Sequence, residues 1–217
     1  GVYIPHLCFN PDFAPHGSCR VCLVKVNGRM QASCTTPASA GLTVQSETEE
    51  LREIRRGILQ MLFVEGNHVC PACEKSGACQ LQAVAYYVGM LNPHFSHFYP
   101  RRPVDASHAE AVIDFNRCIL CELCVRASRD VDGKNIFAVQ GRGIQAHLVV
   151  NTPSGKLGAT HFSIHDKAAQ VCPTGAILTK HQGYNVPIGQ RLYDRKPINV
   201  VGDVAQLPES KGGRRHD

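Results

Sequence analysis

The sequence predicts an α+β fold made of several small modules instead of one large domain. The 217 residues include 19 Gly, 13 Pro and no Trp, so any apolar core is small. Short alternating segments typical of strands and one long periodic segment typical of a helix occupy different parts of the chain. Eleven cysteines fall into three groups separated by long cysteine-free gaps. Small cores and grouped cysteines together indicate modules that are each organised around a ligand site.

Several classes of protein are excluded by composition. No apolar run approaches the ~20 residues that cross a bilayer, so no membrane span is predicted. The chain opens at Gly1 without a signal or transit pattern, and we expect a cytoplasmic protein whose first residues are missing. An odd number of cysteines without a secretory signal argues against a disulfide framework.

The last cysteine group has the spacing of an iron–sulfur site. Cys118, Cys121 and Cys124 form a C-x2-C-x2-C triplet, and Cys172 precedes Pro173 in VCPTGAI. Three closely spaced thiolates closed by a distant Cys-Pro are the arrangement that holds a [4Fe–4S] cube. Zinc sites usually use two ligand pairs joined by a spacer, so structural zinc is the weaker alternative. Because a second such triplet is missing, Cys172 must close this cluster.

The first group surrounds a predicted β-hairpin that turns at Asn27-Gly28. Its members are Cys8, Cys19, Cys22 and Cys34. Plant-type [2Fe–2S] ferredoxins use a related loop and a remote fourth cysteine, but this chain widens the first gap and shortens the last. Spacing favours a [2Fe–2S] cluster and leaves a zinc site open.

The middle group contains only three cysteines, Cys70, Cys73 and Cys79. A [4Fe–4S] cube would lack one ligand, and His68 is placed to supply it through a ring nitrogen. Eleven cysteines and one histidine then give twelve ligands, enough for three sites of four. The alternatives are a [3Fe–4S] cluster and a solvent-exposed loop histidine.

A helix is predicted after a capping box formed by Ser46 and Glu49, and it ends at Gly66. Its arginines are expected on a solvated face. The predicted apolar face consists of Leu51, Ile54, Ile58, Met61 and Leu62. A second helix is expected over Ala78–Met90.

The remaining segments alternate between connections and short elements. Residues 91–105 are predicted to be a linker, residues 121–129 and a stretch near Asp166 helical, and residues 136–140 and 145–150 strands. The G-x-G-x-x-A sequence at 141–146 precedes a strand instead of a helix, so we reject it as a dinucleotide site. The tail, residues 181–217, lacks cysteine; we expect it to dock on a partner or to be disordered, and to contribute nothing to the metal sites.

Five stretches, taken in order, carry a family resemblance: IPHLC, SCRVCLVKV, LFVEGNHVCPACEKSGACQLQ, RCILCELCVR and VCPTGAI. They resemble the diaphorase iron–sulfur subunits of soluble NAD-reducing [NiFe] hydrogenases. They are also similar to the amino-terminal part of the large iron–sulfur subunit of respiratory NADH:quinone oxidoreductase. The respiratory pattern places its histidine where this chain has Gly66, and the family's first domain begins earlier, with a β-hairpin that this chain lacks.

The resemblance implies one [2Fe–2S] cluster on the first group and [4Fe–4S] clusters on the other two, the middle one with a histidine ligand. It implies a truncated β-grasp domain over residues 1–45, a small helical domain over 46–100, a ferredoxin-like domain over 101–180 and an extended tail over 181–217. FMN, NAD and the NiFe site would lie on partners, which are a flavin- and NADH-binding diaphorase subunit and the hydrogenase small and large subunits.

An electron-transfer subunit without a catalytic site of its own is therefore the predicted function. Three alternatives remain open: the electron-input part of an NAD-dependent formate dehydrogenase, a fragment of a respiratory NADH dehydrogenase, and a zinc-binding interaction module. The formal charge of +5 does not indicate nucleic acid. Clusters with these ligands would add roughly −2, −2 and −1, which brings the total close to zero.

Overall fold

The computed structural model describes residues 2–203, which contain short strands and five α-helices. The strands are β1 Leu23–Val26, β2 Arg29–Ala32, β3 Val44–Gln45, β4 Val104–Asp105, β5 Ala111–Asp114, β6 Phe137–Gln140, β7 His147–Val150 and β8 Ile177–Thr179. The helices are α1 Glu49–Val64, α2 Gln80–Tyr87, α3 Leu123–Arg126, α4 Lys167–Gln170 and α5 Ile198–Val201. Among the described residues, no helix is long and apolar enough to cross a membrane. This mixture of elements is consistent with the predicted α+β class.

The predicted amino-terminal hairpin is confirmed. Strands β1 and β2 pair antiparallel from Leu23 opposite Ala32 to Val26 opposite Arg29, and β3 adds to the other edge of β1. Asn27 and Gly28 connect the strands with φ of 49° and 81°. These left-handed values match a turn that follows the strand twist, which is why Asn-Gly occurs there.

Helix α1 is present, but its start and its buried face differ from the prediction. Thr48 caps it by accepting a hydrogen bond from the Leu51 N–H at 3.2 Å, so the Ser46 capping box is wrong. Arg55, expected in solvent, is only 1% exposed. Its guanidinium donates to the Leu23 carbonyl at 2.7 Å and to Glu47 at 3.2 Å. Arg55 is therefore buried because it satisfies a backbone carbonyl of the neighbouring sheet, and the buried face of α1 is not purely apolar.

Two cores hold the described chain together. One contains side chains from the residues that precede β1 and from helices α1, α2 and α5. Helix α2 is shorter at both ends than the predicted 78–90 helix. The other lies between the sheet β4-β5-β8, the hairpin β6-β7 and helices α3 and α4. Within the G-x-G-x-x-A segment, residues 143–145 form a 3-10 turn between β6 and β7, so no helix begins there.

The described part of the tail, residues 181–203, lies on this chain itself, and we call it the arm. Ile198 is completely buried among α1 and α2 side chains. Asp203 is 2% exposed and accepts a hydrogen bond from the Gln80 side chain at 2.9 Å. Residues 181–203 are therefore not a disordered tail, and the expectation that the tail docks on a partner stays a prediction. Residues 204–217, including the predicted flexible end from Pro208, lie outside the described residues.

Candidate iron–sulfur sites

The third site brings its four predicted ligands around one cavity. Cys118, Cys121, Cys124 and Cys172 all line one small cavity. Mostly apolar side chains, including Leu148 and Ile177, form the rest of the wall. The segments that supply the ligands are far apart in sequence but adjacent in this module. The lining therefore fits a soft, sulfur-ligated group in a low-dielectric pocket.

Two residues in the third-site loop have unusual backbone conformations. Leu120 and Glu122, which lie between the cysteines, have φ of 53° and 57°. Non-glycine residues in the left-handed region cost about 1–3 kcal/mol each and cluster at functional sites. When successive residues alternate between right- and left-handed backbone conformations, their N–H groups point to one side and form an anion-binding concavity. Neither leucine nor glutamate signals a left-handed turn, so these two conformations could not be predicted from the sequence.

Burial favours the neutral form of three thiols of the third site, those of Cys118, Cys121 and Cys124, by raising the pKa of each. Burial raises the pKa of Cys118 to about 11, opposed by a hydrogen bond from the Leu120 N–H. Burial also raises the pKa of Cys121 well above its usual range, opposed by the Leu123 N–H. Metal ligation must therefore displace protons, and the N–H groups remain to stabilise the thiolates. This donor set fits an iron–sulfur cluster.

The middle site also collects its predicted ligands. His68, Cys70, Cys73 and Cys79 line one small cavity. Burial lowers the pKa of His68 to about 4, so the imidazole is neutral and offers a lone pair. Its Nε2 atom is buried and has no hydrogen-bond partner within residues 2–203. A buried nitrogen without a partner is costly, and ligation provides one way to satisfy it.

Gly66 makes room for the His68 ring. A Cβ atom added at Gly66 would lie 2.7 Å from His68 Nε2 and 2.8 Å from the Asn116 carbonyl oxygen. In the respiratory pattern the histidine itself occupies this position of the chain. The ring of His68 reaches back to the point where a side chain at position 66 would begin. Glycine at position 66 therefore leaves the space that the His68 ring occupies.

The first site brings its four cysteines together in two close pairs. Cys8 and Cys22 are buried, Cys22 Sγ lies 3.4 Å from Cys34 Sγ, and the Cys19 N–H donates to Cys8 Sγ at 3.4 Å. Hydrogen bonding from Cys19 lowers the pKa of Cys8 to about 5. Arg20, between Cys19 and Cys22, has φ of 60°, a left-handed value like those at the third site. Among the described residues, no three His, Cys, Asp or Glu side chains are arranged to hold a single metal ion.

The three sites are neighbours in space. Arg126 is 5% exposed and donates to the Cys8 carbonyl at 2.6 Å and the Cys121 carbonyl at 3.4 Å, so it joins the first and third sites. The Pro173 carbonyl accepts a hydrogen bond from the Gln80 N–H at 3.0 Å, which joins the third and middle sites. The third site therefore contacts both of the others, although it comes last in the sequence.

Comparisons with known proteins match all three segments. Residues 1–49 match a 2Fe-2S iron-sulfur cluster binding domain, residues 55–94 the NADH-ubiquinone oxidoreductase-G iron-sulfur binding region, and residues 112–179 a 4Fe-4S single cluster domain. The chain thus contains 2Fe-2S and 4Fe-4S cluster-binding domains. The zinc alternative has no support among these matches.

Whole-chain relatives give the family. The gamma subunit of the NAD-reducing hydrogenase HoxS of Cupriavidus necator is 43% identical over 92% of this chain and 85% of the relative. The chain belongs to the family of NAD-reducing hydrogenase gamma subunits. A chain in the crystal structure of an NAD+-reducing [NiFe]-hydrogenase in the H2-reduced state superposes on this gamma-family chain with a TM-score of 0.88. That chain shares 53% identity, with 91% of this chain and 84% of that chain covered.

Longer proteins contain a similar segment. The alpha subunit of NADPH-Fe(3+) oxidoreductase of Geobacter sulfurreducens is 34% identical over 83% of this chain but only 21% of its own length. The mitochondrial 78 kDa subunit of NADH-ubiquinone oxidoreductase of Candida albicans is 31% identical over 83% of this chain and 25% of its own length. The gamma-family chain thus corresponds to one module of these larger proteins.

Proposed function

We propose that this chain is the electron-transfer subunit of an NAD-reducing [NiFe] hydrogenase. It would relay electrons between a flavin- and NADH-binding subunit and the hydrogenase small and large subunits, which carry FMN, NAD and the NiFe site. The observation that carries the proposal is the contact of three cysteine-rich ligand sets within one chain. Iron–sulfur clusters supply one-electron carriers, which lets a two-electron hydride donor feed single-electron steps.

Twelve side chains would hold one [2Fe–2S] and two [4Fe–4S] clusters. The proposed ligands are Cys8, Cys19, Cys22 and Cys34 for the [2Fe–2S] cluster, His68, Cys70, Cys73 and Cys79 for one [4Fe–4S] cluster, and Cys118, Cys121, Cys124 and Cys172 for the other. The proposed modules are a β-grasp domain at 1–45, a helical domain at 46–100 and a ferredoxin-like domain at 101–180. The separate segment matches and the lined cavities support this division.

Several residues of this chain are placed to tune the clusters. The N–H groups of Leu120 and Leu123 lower the pKa of the Cys118 and Cys121 thiols, and N–H groups that stabilise ligand sulfurs raise a cluster's reduction potential. The buried guanidinium of Arg126 contacts backbone carbonyls beside ligands of the first and third sites. Its positive charge favours the reduced form of either neighbouring cluster.

Metal analysis tests the cluster assignment. Protein purified without oxygen should contain about ten iron and ten sulfide per chain, as two plus four plus four. Cys→Ala changes at Cys34, Cys73 and Cys124, made one at a time, should each remove the EPR signal of one site only. Zinc without sulfide in the purified wild-type chain would contradict the proposal.

Activity measurements test the role of the chain as a carrier. The flavin-free chain should oxidise neither NADH nor hydrogen, whereas the chemically reduced chain should pass electrons to an artificial acceptor. Co-expression with the flavin and hydrogenase subunits of the same organism should yield one complex with hydrogen-dependent NAD+ reduction. NADH oxidation by the isolated chain would contradict the absence of its own catalytic site.

A further inference from the structure

We propose that the arm, residues 181–203, holds the middle-site loop in its ligand-binding shape. This inference rests on the proposed cluster at the middle site and assigns positioning residues to it. The loop runs from Cys70 to Cys79 and supplies three of the four proposed ligands. Arm residues bond to the loop within each of the two intervals between successive cysteines.

The first contact lies between Cys70 and Cys73. The Tyr184 hydroxyl donates a hydrogen bond to the Ala72 carbonyl at 2.7 Å. Tyr184 itself has φ of 62°, a left-handed value that is costly for an aromatic residue. Gly183 lies so close to the loop that an added Cβ would be 2.7 Å from Glu74 Cγ. The arm thus reaches the loop with a strained residue that makes a specific bond.

The second contact lies between Cys73 and Cys79. The Tyr193 N–H donates to the Gly77 carbonyl at 2.8 Å. Gly77 has φ of 74°, and a Cβ added there would lie 2.3 Å from Arg191 Nε. The Arg191 guanidinium therefore lies directly against the Gly77 backbone, a place open only to glycine.

Arg191 is itself fixed within the arm. Its Nε and Nη2 atoms donate to the Asp194 carboxylate at 2.8–3.1 Å, in a two-pronged pair. The same carboxylate accepts from the backbone N–H groups of Gly189 at 2.6 Å and Arg191 at 3.0 Å. A bidentate pair between a guanidinium and a carboxylate has a defined geometry, so the Arg191 guanidinium is held in a fixed orientation against the loop.

The arm is also anchored on both sides of these contacts. Ile198 is buried against α2, the helix that follows the last loop cysteine. Residues 199–203 wall a second cavity together with Cys22 and Cys34 of the first site. Under this proposal the described part of the tail supports the metal sites, whereas the sequence predicts that it contributes nothing to them. Losing the arm contacts should loosen the middle site first, because both loop contacts lie there.

The test uses the full-length chain with all three clusters. Tyr184→Phe removes only the hydroxyl. The double variant Tyr184→Phe/Arg191→Gln also removes the guanidinium that lies against Gly77, while keeping the Ile198 anchor. We expect a chelator to remove iron from the middle site of the double variant at least about tenfold faster than from wild type. The EPR line shape of the middle cluster should change, and the signals of the first and third clusters should not.

Two control variants and the wild type distinguish a failure of the arm proposal from a failure of the proposed function. Lys196→Gln in the exposed part of the arm and Tyr99→Phe on the exposed linker should release iron at the wild-type rate. If wild type holds three clusters and the double variant keeps the wild-type rate and line shape, the arm proposal is wrong. If wild type holds no middle cluster, the proposed function fails instead. Equal changes at all three clusters would indicate general destabilisation and would also overturn the proposal.

Discussion

Gly66→Ala is the substitution that most directly tests the placement of His68. Gly66 is buried, and it has no left-handed backbone angle, so any penalty comes from the added methyl group alone. The methyl carbon would lie 2.7 and 2.9 Å from two atoms of the His68 ring, where ordinary contact begins at 3.4 Å. It would also lie 2.8 Å from the Asn116 carbonyl oxygen. The backbone cannot move away freely, because the Asn67 N–H bonds to that oxygen at 2.9 Å.

The expected cost follows from these contacts. Overpacking of this kind costs about 1–3 kcal/mol, and weakening the Asn67 hydrogen bond adds about 1 kcal/mol. Replacing Gly by Ala restricts the unfolded chain and returns about 0.4–1 kcal/mol. The free energy of unfolding should therefore fall by about 1–4 kcal/mol. Since the ring is the softer neighbour, His68 should turn away from its place and alter the middle cluster.

Gly57→Ala is the matched control, because a Cβ at Gly57 in α1 meets nothing within 4 Å. It should stabilise the helix by about 0.4–1 kcal/mol. The melting temperatures of the two variants should then differ by on the order of 10 °C. Gly66→Ala should also change the EPR line shape of the middle cluster, and Gly57→Ala should not. Equal melting temperatures and an unchanged middle signal in Gly66→Ala would refute the placement of His68.

Two further substitutions separate ligand and packing roles. His68→Cys should keep the middle cluster and lower its reduction potential, because a thiolate adds negative charge that an imidazole lacks. His94→Ala on the exposed linker is the control in the same redox titration, and an unchanged signal in His68→Ala would exclude ligation. Arg55→Met removes the bonds to Leu23 and Glu47 and should lower the free energy of unfolding by about 2–4 kcal/mol. Arg52→Met, whose exposed side chain also pairs with Glu47, should change it by less than about 1 kcal/mol in the same denaturant titration, and equal effects would contradict the buried role of Arg55.

Local chemistry explains what could be predicted from the sequence. The Asn27-Gly28 hairpin depends on two adjacent residues that tolerate left-handed angles, so it can be recognised without tertiary structure. The cysteine groups are equally local, because short spacings are imposed by the size of the group they hold. Their assignment as ligands stays a prediction, although the middle and third sets each line one cavity.

Long-range contacts explain what could not be predicted. Ser46 follows directly after β3, whose pairing with β1 keeps the chain extended, so the helix begins later and Thr48 becomes its cap. Arg55 is buried because a carbonyl at Leu23, distant in sequence, accepts its hydrogen bond. The arm carries no periodic pattern, and its anchor Ile198 is explained only by apolar side chains of α1 and α2.

The start of α2 depends both on the local cysteine pattern and on a long-range contact. Cys79 occupies the cap position of this helix and, within the described residues, makes no side-chain capping bond. A cysteine there is a poor cap, but the proposed ligand role requires it. The Pro173 carbonyl supplies the missing acceptor, taking hydrogen bonds from the N–H groups of Gln80 at 3.0 Å and Leu81 at 3.4 Å.

Pro173 therefore has a role that the sequence does not indicate. In the sequence it is the residue that follows the proposed ligand Cys172. In the structure the same segment caps the helix that begins at a middle-site cysteine, and Gly175 lies so close that an added Cβ would be 3.0 Å from Cys73 Sγ. The segment that carries Cys172 thus supplies both the cap of α2 and part of the wall around the middle site. We expect the two to form together, because neither the cap of α2 nor the wall beside Cys73 exists until residues 172–175 are in place.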